Sequence, residues 1–408
     1  MALKEFFIEI DTRCNARCFY CDTGNKSRDP HRKSMDVGLF ERVIDHALST
    51  GLADQSTLIN LFDRGEPTLH PDVSRIFRCL NERALRYCIS SNCGRAVKLD
   101  ADVSLALLDK FVISMPGFSQ ASYDRIHRLP IRKVLANIES MLADFRRRGF
   151  RGSAIMSLHT YRFNLDELAP AAEFCRKLDI LFSPYDAAFA DYRMARDFIK
   201  GTLAPEVLAR AEQELFTEKI REQLTQSSPD YRCPQFDRVT IDEVGDLLLC
   251  CGAPRLGDAY DDGFRLGAFL KMGADEVIKL KTSASVCADC IASGLAYMGH
   301  NVTRPTEYMP KDAYQHHLVS VVCPVEESII PNAQHQNLQA ENLFVKRRDD
   351  SIALVEDDSH GYHRLLGQAW CSSDLLTITL LAKPDGRSAL KLEMLADTRI
   401  AMRPRPSI

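Results

Sequence analysis

The sequence predicts an α/β chain in four stretches. These are a partial (βα)6 barrel over residues 1–190, a helical linker at 191–232, a small β-hairpin/helix domain over 233–300, and a β-rich, sandwich-like segment over 326–408. Three observations predict it. Up to about residue 185, short β-like runs alternate with amphipathic stretches. Cysteines then cluster on a compact hairpin-and-helix pattern between residues 233 and 290. Beyond residue 326, closely spaced β-like runs are separated by turn signals such as Asp349-Asp350 and Pro384-Asp385-Gly386.

The barrel strands read as Phe6–Ile10, Thr57–Phe62, Arg86–Ser90, Phe111–Ser114, Ser153–His159 and Ile180–Tyr185. Between them, Val37–Thr50 carries Leu39, Val43, Ile44, Ala47 and Leu48 at helical spacing. Lys133–Arg148 does the same with Val134, Ile138, Met141, Leu142 and Phe145. Strand–helix alternation calls for parallel strands joined by right-handed crossovers. In such barrels the working residues sit at the C-terminal strand ends. The charged stretch 190–230 reads as a linker helix or lid. In the last segment, Asn342–Val345, Ser351–Val355, Leu375–Leu381 and Ala389–Met394 read as strands.

Composition narrows the function classes. The 408 residues are 45% apolar and 26% charged, with a formal net charge of −4. That balance gives no reason to expect a nucleic-acid partner or an anionic membrane surface. No apolar run approaches the ~18 residues of a membrane span. The N-terminus shows no basic region followed by a long apolar stretch, so no signal peptide is read and a cytoplasmic location is expected. Fourteen cysteines in a reducing compartment point to metal or redox chemistry rather than disulfides.

Cys14, Cys18 and Cys21 follow the first strand with the spacing Cys-x3-Cys-x2-Cys. Three thiolates on one loop can hold three irons of a [4Fe–4S] cluster and leave the fourth open, whereas structural zinc usually takes two separated pairs. With Tyr20 before the last cysteine, the stretch resembles the radical S-adenosylmethionine (radical SAM) superfamily, over roughly residues 5–185. The resemblance implies further sites. Gly65 and Glu66 of Asp63-Arg64-Gly65-Glu66-Pro67 match the family's Gly-Gly-Glu-Pro, which contacts the methionine amino group; Arg64 replaces its first glycine. Ser91 and Asn92 match the turn after the third strand. Ser114 matches the serine near the SAM ribose or carboxylate, and Met156 and Ser157 match the adenine-flanking strand. His127 stands where relatives often have arginine, which leaves Arg125 and Arg128 as candidates for the carboxylate. Each of these residues also has an ordinary structural reading: a capping turn for Glu66, strand packing for Met156, helix surface for the arginines.

Cys233-x11-Gly245-x4-Cys250 followed by Cys287-x2-Cys290 resembles the shortened SPASM, or twitch, domain and implies one auxiliary [4Fe–4S] cluster. The same four residues suit a zinc site. Cys251 is spare. Strand alternation places it opposite Cys250, either as a buried structural thiol or as a hydrogen-atom donor to substrate. Cys79, Cys88, Cys175 and Cys371 lie in apolar patterns and read as core.

The resemblance implies reductive cleavage of SAM to a 5′-deoxyadenosyl radical, which takes a hydrogen atom from substrate. An external one-electron donor such as flavodoxin or ferredoxin is implied with it. Twitch-type relatives comprise butirosin-type alcohol dehydrogenases, aminoglycoside epimerases and anaerobic sulfatase-maturating enzymes. The expected activity is therefore oxidation or epimerisation of a small carbohydrate-like or aminocyclitol-like substrate. Modification of a peptide is the alternative; the barrel starts at residue 6, which leaves no room for the N-terminal recognition domain of many peptide-modifying relatives. A zinc-holding scaffold is a third, non-enzymatic reading. Arg64, His159, Tyr161 and Asp186 are candidates for a substrate-side acid or base.

Overall fold

The computed structural model describes residues 3–300 apart from 4, 26–32, 226, 229 and 254–262. It also describes the strands at 318–324, 343–348, 351–357, 363–372, 375–381, 390–394 and 400–404. The chain divides into two compact units, Met1–Pro305 and Thr306–Ile408.

In the first unit, β1 (Glu5–Ile8), β2 (Leu58–Asn60), β3 (Arg86–Ser91), β4 (Leu108–Met115), β5 (Ser153–Thr160) and β6 (Leu181–Asp186) pair parallel in sequence order. Sequential parallel pairing is the winding of an open, partial (βα)6 barrel. The crossover helices are α2 (Val37–Ser49), α3 (Val73–Glu82), α5 (Ile131–Arg147) and α6 (Leu168–Lys177), with the short α1 (Asp22–Asn25) and α4 (Gln120–Arg125) in the loops after β1 and β4. The helices form where the sequence pattern places them. Asp36 caps α2 by accepting from the Leu39 amide at 2.9 Å, a contact worth about 1 kcal/mol. α5 buries Val134, Ile138, Met141, Leu142 and Phe145 on one stripe, each contributing roughly 2 kcal/mol. That stripe, rather than propensity, holds the helix on the sheet.

The hairpin of the second cysteine group shares this sheet. β7 (Arg238–Ile241) pairs parallel with β1 from Glu5↔Arg238 to Ile8↔Ile241. β8 (Asp246–Leu248) and β9 (Arg265–Ala268) follow antiparallel, completing nine strands. Gly245 turns the hairpin at φ +85°, as its place in the sequence pattern suggested. Residues 191–232 hold three helices instead of one linker: α7 (Tyr192–Lys200), α8 (Pro205–Glu214) and α9 (Thr217–Thr225). They bury Phe198, Ala211, Leu215 and Ile220 in one apolar cluster with Tyr20, Tyr161 and Phe189. α10 (Ala274–Ser283), α11 (Ser285–Ala292) and α12 (Leu295–His300) complete the unit. Among the described residues no helix is long and apolar enough to cross a membrane.

The second unit is antiparallel. β10 (Leu318–Pro324), β11 (Leu343–Arg348), β12 (Ser351–Asp357), β13 (His363–Ser372) and β14 (Leu375–Leu381) form a sheet in the order β10-β14-β13-β12-β11. β15 (Leu390–Met394) and β16 (Ile400–Pro404) form a separate pair.

Candidate functional site

The loop after β1 carries Cys14, Cys18 and Cys21, and neighbouring strand-end loops close around it. Gly65 crosses directly over Asp11: an added Cβ would lie 1.7 Å from the Asp11 carbonyl oxygen, so only glycine fits. The Glu66 amide then bonds the Arg13 carbonyl at 2.8 Å. Gly24 is equally constrained, its Cβ position 2.5 Å from the Cys18 nitrogen; the loop folds back on itself and turns its three thiols into one neighbourhood. Burial pushes the Cys18 thiol up, and Cys21 and Cys14 push it further. Burial does the same to Cys21, with Asp22 adding and Arg64 opposing. Thiols held this high give up their protons to a bound metal cation rather than to water. The Asn92 amide donates to Cys14 Sγ at 3.6 Å and to Asn15 Oδ1 at 2.8 Å, which orients the first thiol from outside, as second-layer donors do around metal ligands.

The other sequence candidates divide. Glu66 is buried and its carboxylate is occupied: it accepts from the Thr68 hydroxyl and amide and, at 2.8 Å, from the Asn92 amide. It joins the loops after β2 and β3 as well as capping its own turn. Ser91 is buried in the same joint, accepting from the Cys93 amide at 2.9 Å. Ser114 lies 3.5 Å from His159 Nε2 and is partly open. Met156 does not fit the adenine-flanking assignment. It is fully buried on the helix-facing side of β5, with Cys175 Sγ of α6 3.4 Å from its sulfur; strand alternation turns Ser157 and His159 the other way. His127 and His159 are held neutral by burial, to about 3 and about 4. Arg125 is engaged by Glu214 at 2.7 Å. Asp186 is tied to Thr160 and Lys219, and Tyr161 stacks on Phe163, so both serve packing. Cys79, Cys88 and Cys175 are core, as expected; Cys371 lies on β13.

Three positioning residues escaped the sequence reading. Glu9 accepts from the amides of Arg64 and Gly65; its signal was a buried acid ending an apolar strand. Glu214 receives the Tyr20 hydroxyl at 2.8 Å together with Arg125 and Arg210. Gln235 donates to Cys251 Sγ at 3.2 Å and accepts from its amide.

The second cysteine group gathers from three places. Cys233 precedes β7, Cys250 follows β8, and Cys287 and Cys290 sit three apart on one face of α11. Burial pushes Cys233 and Cys250 up to about 11. Cys290 is pushed up by burial and then by Cys250, Cys233 and Cys287. Among the described residues no three such side chains converge as they would around a single ion. The four thiols suit an auxiliary iron–sulfur cluster or a zinc ion alike. Cys251 lies in a turn beyond the end of β8, so the bend of that turn, not strand alternation, separates it from Cys250.

Arg64 connects the two groups. Its Nε donates to the Cys251 carbonyl at 3.1 Å and its Nη1 to the Ala190 carbonyl at 2.5 Å. Asp22, Cys21, Cys251 and Cys250 all act on its charge.

Residues 8–175 match the Radical SAM superfamily. That stretch is a radical SAM domain. A radical SAM domain works with a [4Fe–4S] cluster and S-adenosylmethionine, and these are the cofactors of this chain. The chain is 19% identical over 289 residues to a probable GTP 3′,8-cyclase of Methanococcus vannielii, covering 70% of this chain and 91% of that protein. Among solved structures, it resembles SuiB of Streptococcus suis bound to the precursor peptide SuiA, with 14% identity, a TM-score of 0.45, and 69% and 66% of the two chains covered. It also resembles anSMEcpe bound to AdoMet, with 14% identity, a TM-score of 0.44, and 72% and 88% covered.

Proposed function

We propose that this radical SAM enzyme abstracts a hydrogen atom from a small sugar-like substrate and oxidises it, with Cys14, Cys18 and Cys21 holding the SAM-binding cluster and Cys233, Cys250, Cys287 and Cys290 an auxiliary one. The cluster and SAM supply, when bound and reduced by an external one-electron donor, a 5′-deoxyadenosyl radical. The chain's own residues orient and shield. Asn92 fixes Cys14, Tyr20 packs between the thiols and α8, and Glu9 and Gly65 hold the loop after β2 against the cysteine loop.

The observation that carries the oxidative reading is the junction of the two cysteine groups. Arg64 touches the Cys251 backbone and senses Cys21 and Cys250, while Cys18 and Cys290 pack against the same apolar cluster. An alcohol that gives up one hydrogen atom must still lose one proton and one electron to become a ketone. Cys233, Cys250, Cys287 and Cys290 would hold a cluster able to accept that electron. GTP, which the curated relative's name gives as its substrate, carries a ribose; this supports a sugar-bearing small molecule. Epimerisation is the second reading, favoured by Cys251: its thiol is kept protonated by burial, which a hydrogen-atom donor requires.

Iron and sulfide are counted after anaerobic reconstitution, beside a Cys14→Ala/Cys18→Ala/Cys21→Ala variant. About eight irons, falling to about four in the variant, support two clusters; about four falling to none removes the auxiliary cluster and with it the oxidative reading. 5′-Deoxyadenosine release is then screened over sugars, nucleotides and peptides. Deuterium uptake from heavy water marks epimerisation, and turnover with peptides alone overturns the sugar assignment.

A further inference from the structure

α10 reads in sequence as a solvated helix, Ala-Asp-Glu-Val-Ile-Lys-Leu-Lys-Thr-Ser. Its Lys281 is nevertheless only 1% exposed, one turn along the same face from buried Val277. Its ammonium donates to the Leu249 carbonyl, next to Cys250. Among the described residues no Asp or Glu forms an ion pair with it. The Leu249 carbonyl belongs to the apolar cluster of Leu248, Leu249, Ala253 and Phe264, on which Cys250 and Cys287 also pack. An unpaired ammonium taken out of water costs several kcal/mol. One carbonyl does not offset that, and neutral thiols are weak acceptors. Thiolates are strong ones.

We propose that Lys281 is a positioning residue of the auxiliary site: a buried counter-charge that offsets the thiolates of Cys233, Cys250, Cys287 and Cys290 and raises the reduction potential of the cluster they hold. This rests on the auxiliary-cluster reading above. The electrostatics are direct. Reduction adds one negative charge to a group that is already anionic. A fixed cation beside it, inside a poorly solvated cluster of apolar side chains, stabilises the reduced form more than the oxidised one. Lys281 thereby makes the site a better electron acceptor for a substrate radical, and removing it leaves a poorer one.

The test uses the full chain carrying Cys14→Ala/Cys18→Ala/Cys21→Ala, so that every iron and every signal belongs to the second site. Lys281→Met, Lys281→Gln and Lys281→Arg are added singly. Each protein is reconstituted anaerobically, its iron counted, and its cluster titrated reductively by electron paramagnetic resonance. The parent should hold about four irons. The Met and Gln variants should keep their iron but reduce about tenfold less favourably, a fall of about 59 mV for one electron; Arg should restore the parent midpoint. If both neutral variants lose iron while Arg retains it, the charge is needed to hold the thiolates and the proposal stands. Unchanged midpoints in iron-replete Met and Gln variants overturn it. So does loss of iron in all three, since the side chain would then act through its shape. A parent that holds no iron removes the auxiliary site itself, a failure visible before any lysine variant is made.

Discussion

Glu214→Gln tests how the cysteine loop is braced. Glu214 is 97% buried by its side chain and serves three donors: the Tyr20 hydroxyl at 2.8 Å, Arg125 Nε at 2.7 Å and Arg210 Nε at 3.2 Å. Glutamine keeps the shape, loses the charge and turns an NH2 toward one of the donors. The arginines are 42% and 30% exposed, so water recovers much of their loss, and each pair is worth about 0.5–1 kcal/mol. The Tyr20 hydroxyl is buried, and leaving it unpaired costs about 1–3 kcal/mol. The sum is about 3 kcal/mol. All described helices lie in the first unit, so urea denaturation of the iron-free protein, followed by helical far-UV circular dichroism, reports on that unit. Tyr20→Phe closes a double-mutant cycle, with an expected coupling of about 1 kcal/mol. Because Tyr20 stands between Cys18 and Cys21, the Gln variant should also retain less iron after reconstitution. A loss below about 1 kcal/mol with no coupling to Tyr20 would show that the carboxylate does not brace the loop.

Other consequences are as direct. Gly65→Ala should prevent folding of the first unit, because backbone, not a movable side chain, meets the new methyl group; soluble protein with wild-type circular dichroism contradicts this. Asn92→Leu should leave stability of the iron-free protein within about 2 kcal/mol while weakening iron retention, through loss of the bond to Cys14 Sγ; equal iron release under a chelator speaks against the bond. His127 and His159 are held by burial at about 3 and about 4, below the ~6.5 of an unfolded histidine. Unfolded chains therefore bind more protons under acid conditions, and stability present above ~6.5 is lost as pH falls toward the folded values. At about pH 5 that amounts to about 2 kcal/mol per histidine, and His159→Gln should flatten the fall in melting temperature between neutral and acid pH. An unaltered slope removes His159 from the account.

Much of this protein is written locally, and there the sequence was sufficient. The six parallel strands, α2 and α5 follow from hydrophobic periodicity, because a strand or helix must present one apolar face whatever it packs against. Cys14, Cys18 and Cys21 share one loop, so their grouping is legible in the sequence, and the resemblance implies the cluster they would hold. What depended on distant chain segments was not legible. Met156 reads like any apolar residue near a strand end, and only the position of α6 shows that it faces Cys175. Lys281 looks like a surface lysine until α10 is laid against β8, and Glu214 looks like a linker acid until it meets Tyr20 from 194 positions away. Arg64 at a glycine position was visible as a departure; its role was not, since its partners, the carbonyls of Ala190 and Cys251, are backbone groups that every residue carries. Sequence determined the cysteine sets and the barrel that presents the first of them. Tertiary structure alone decided that β7 extends that barrel's sheet from β1 and brings the second set beside the first, because parallel pairing between strands more than 200 residues apart leaves no local periodicity to read.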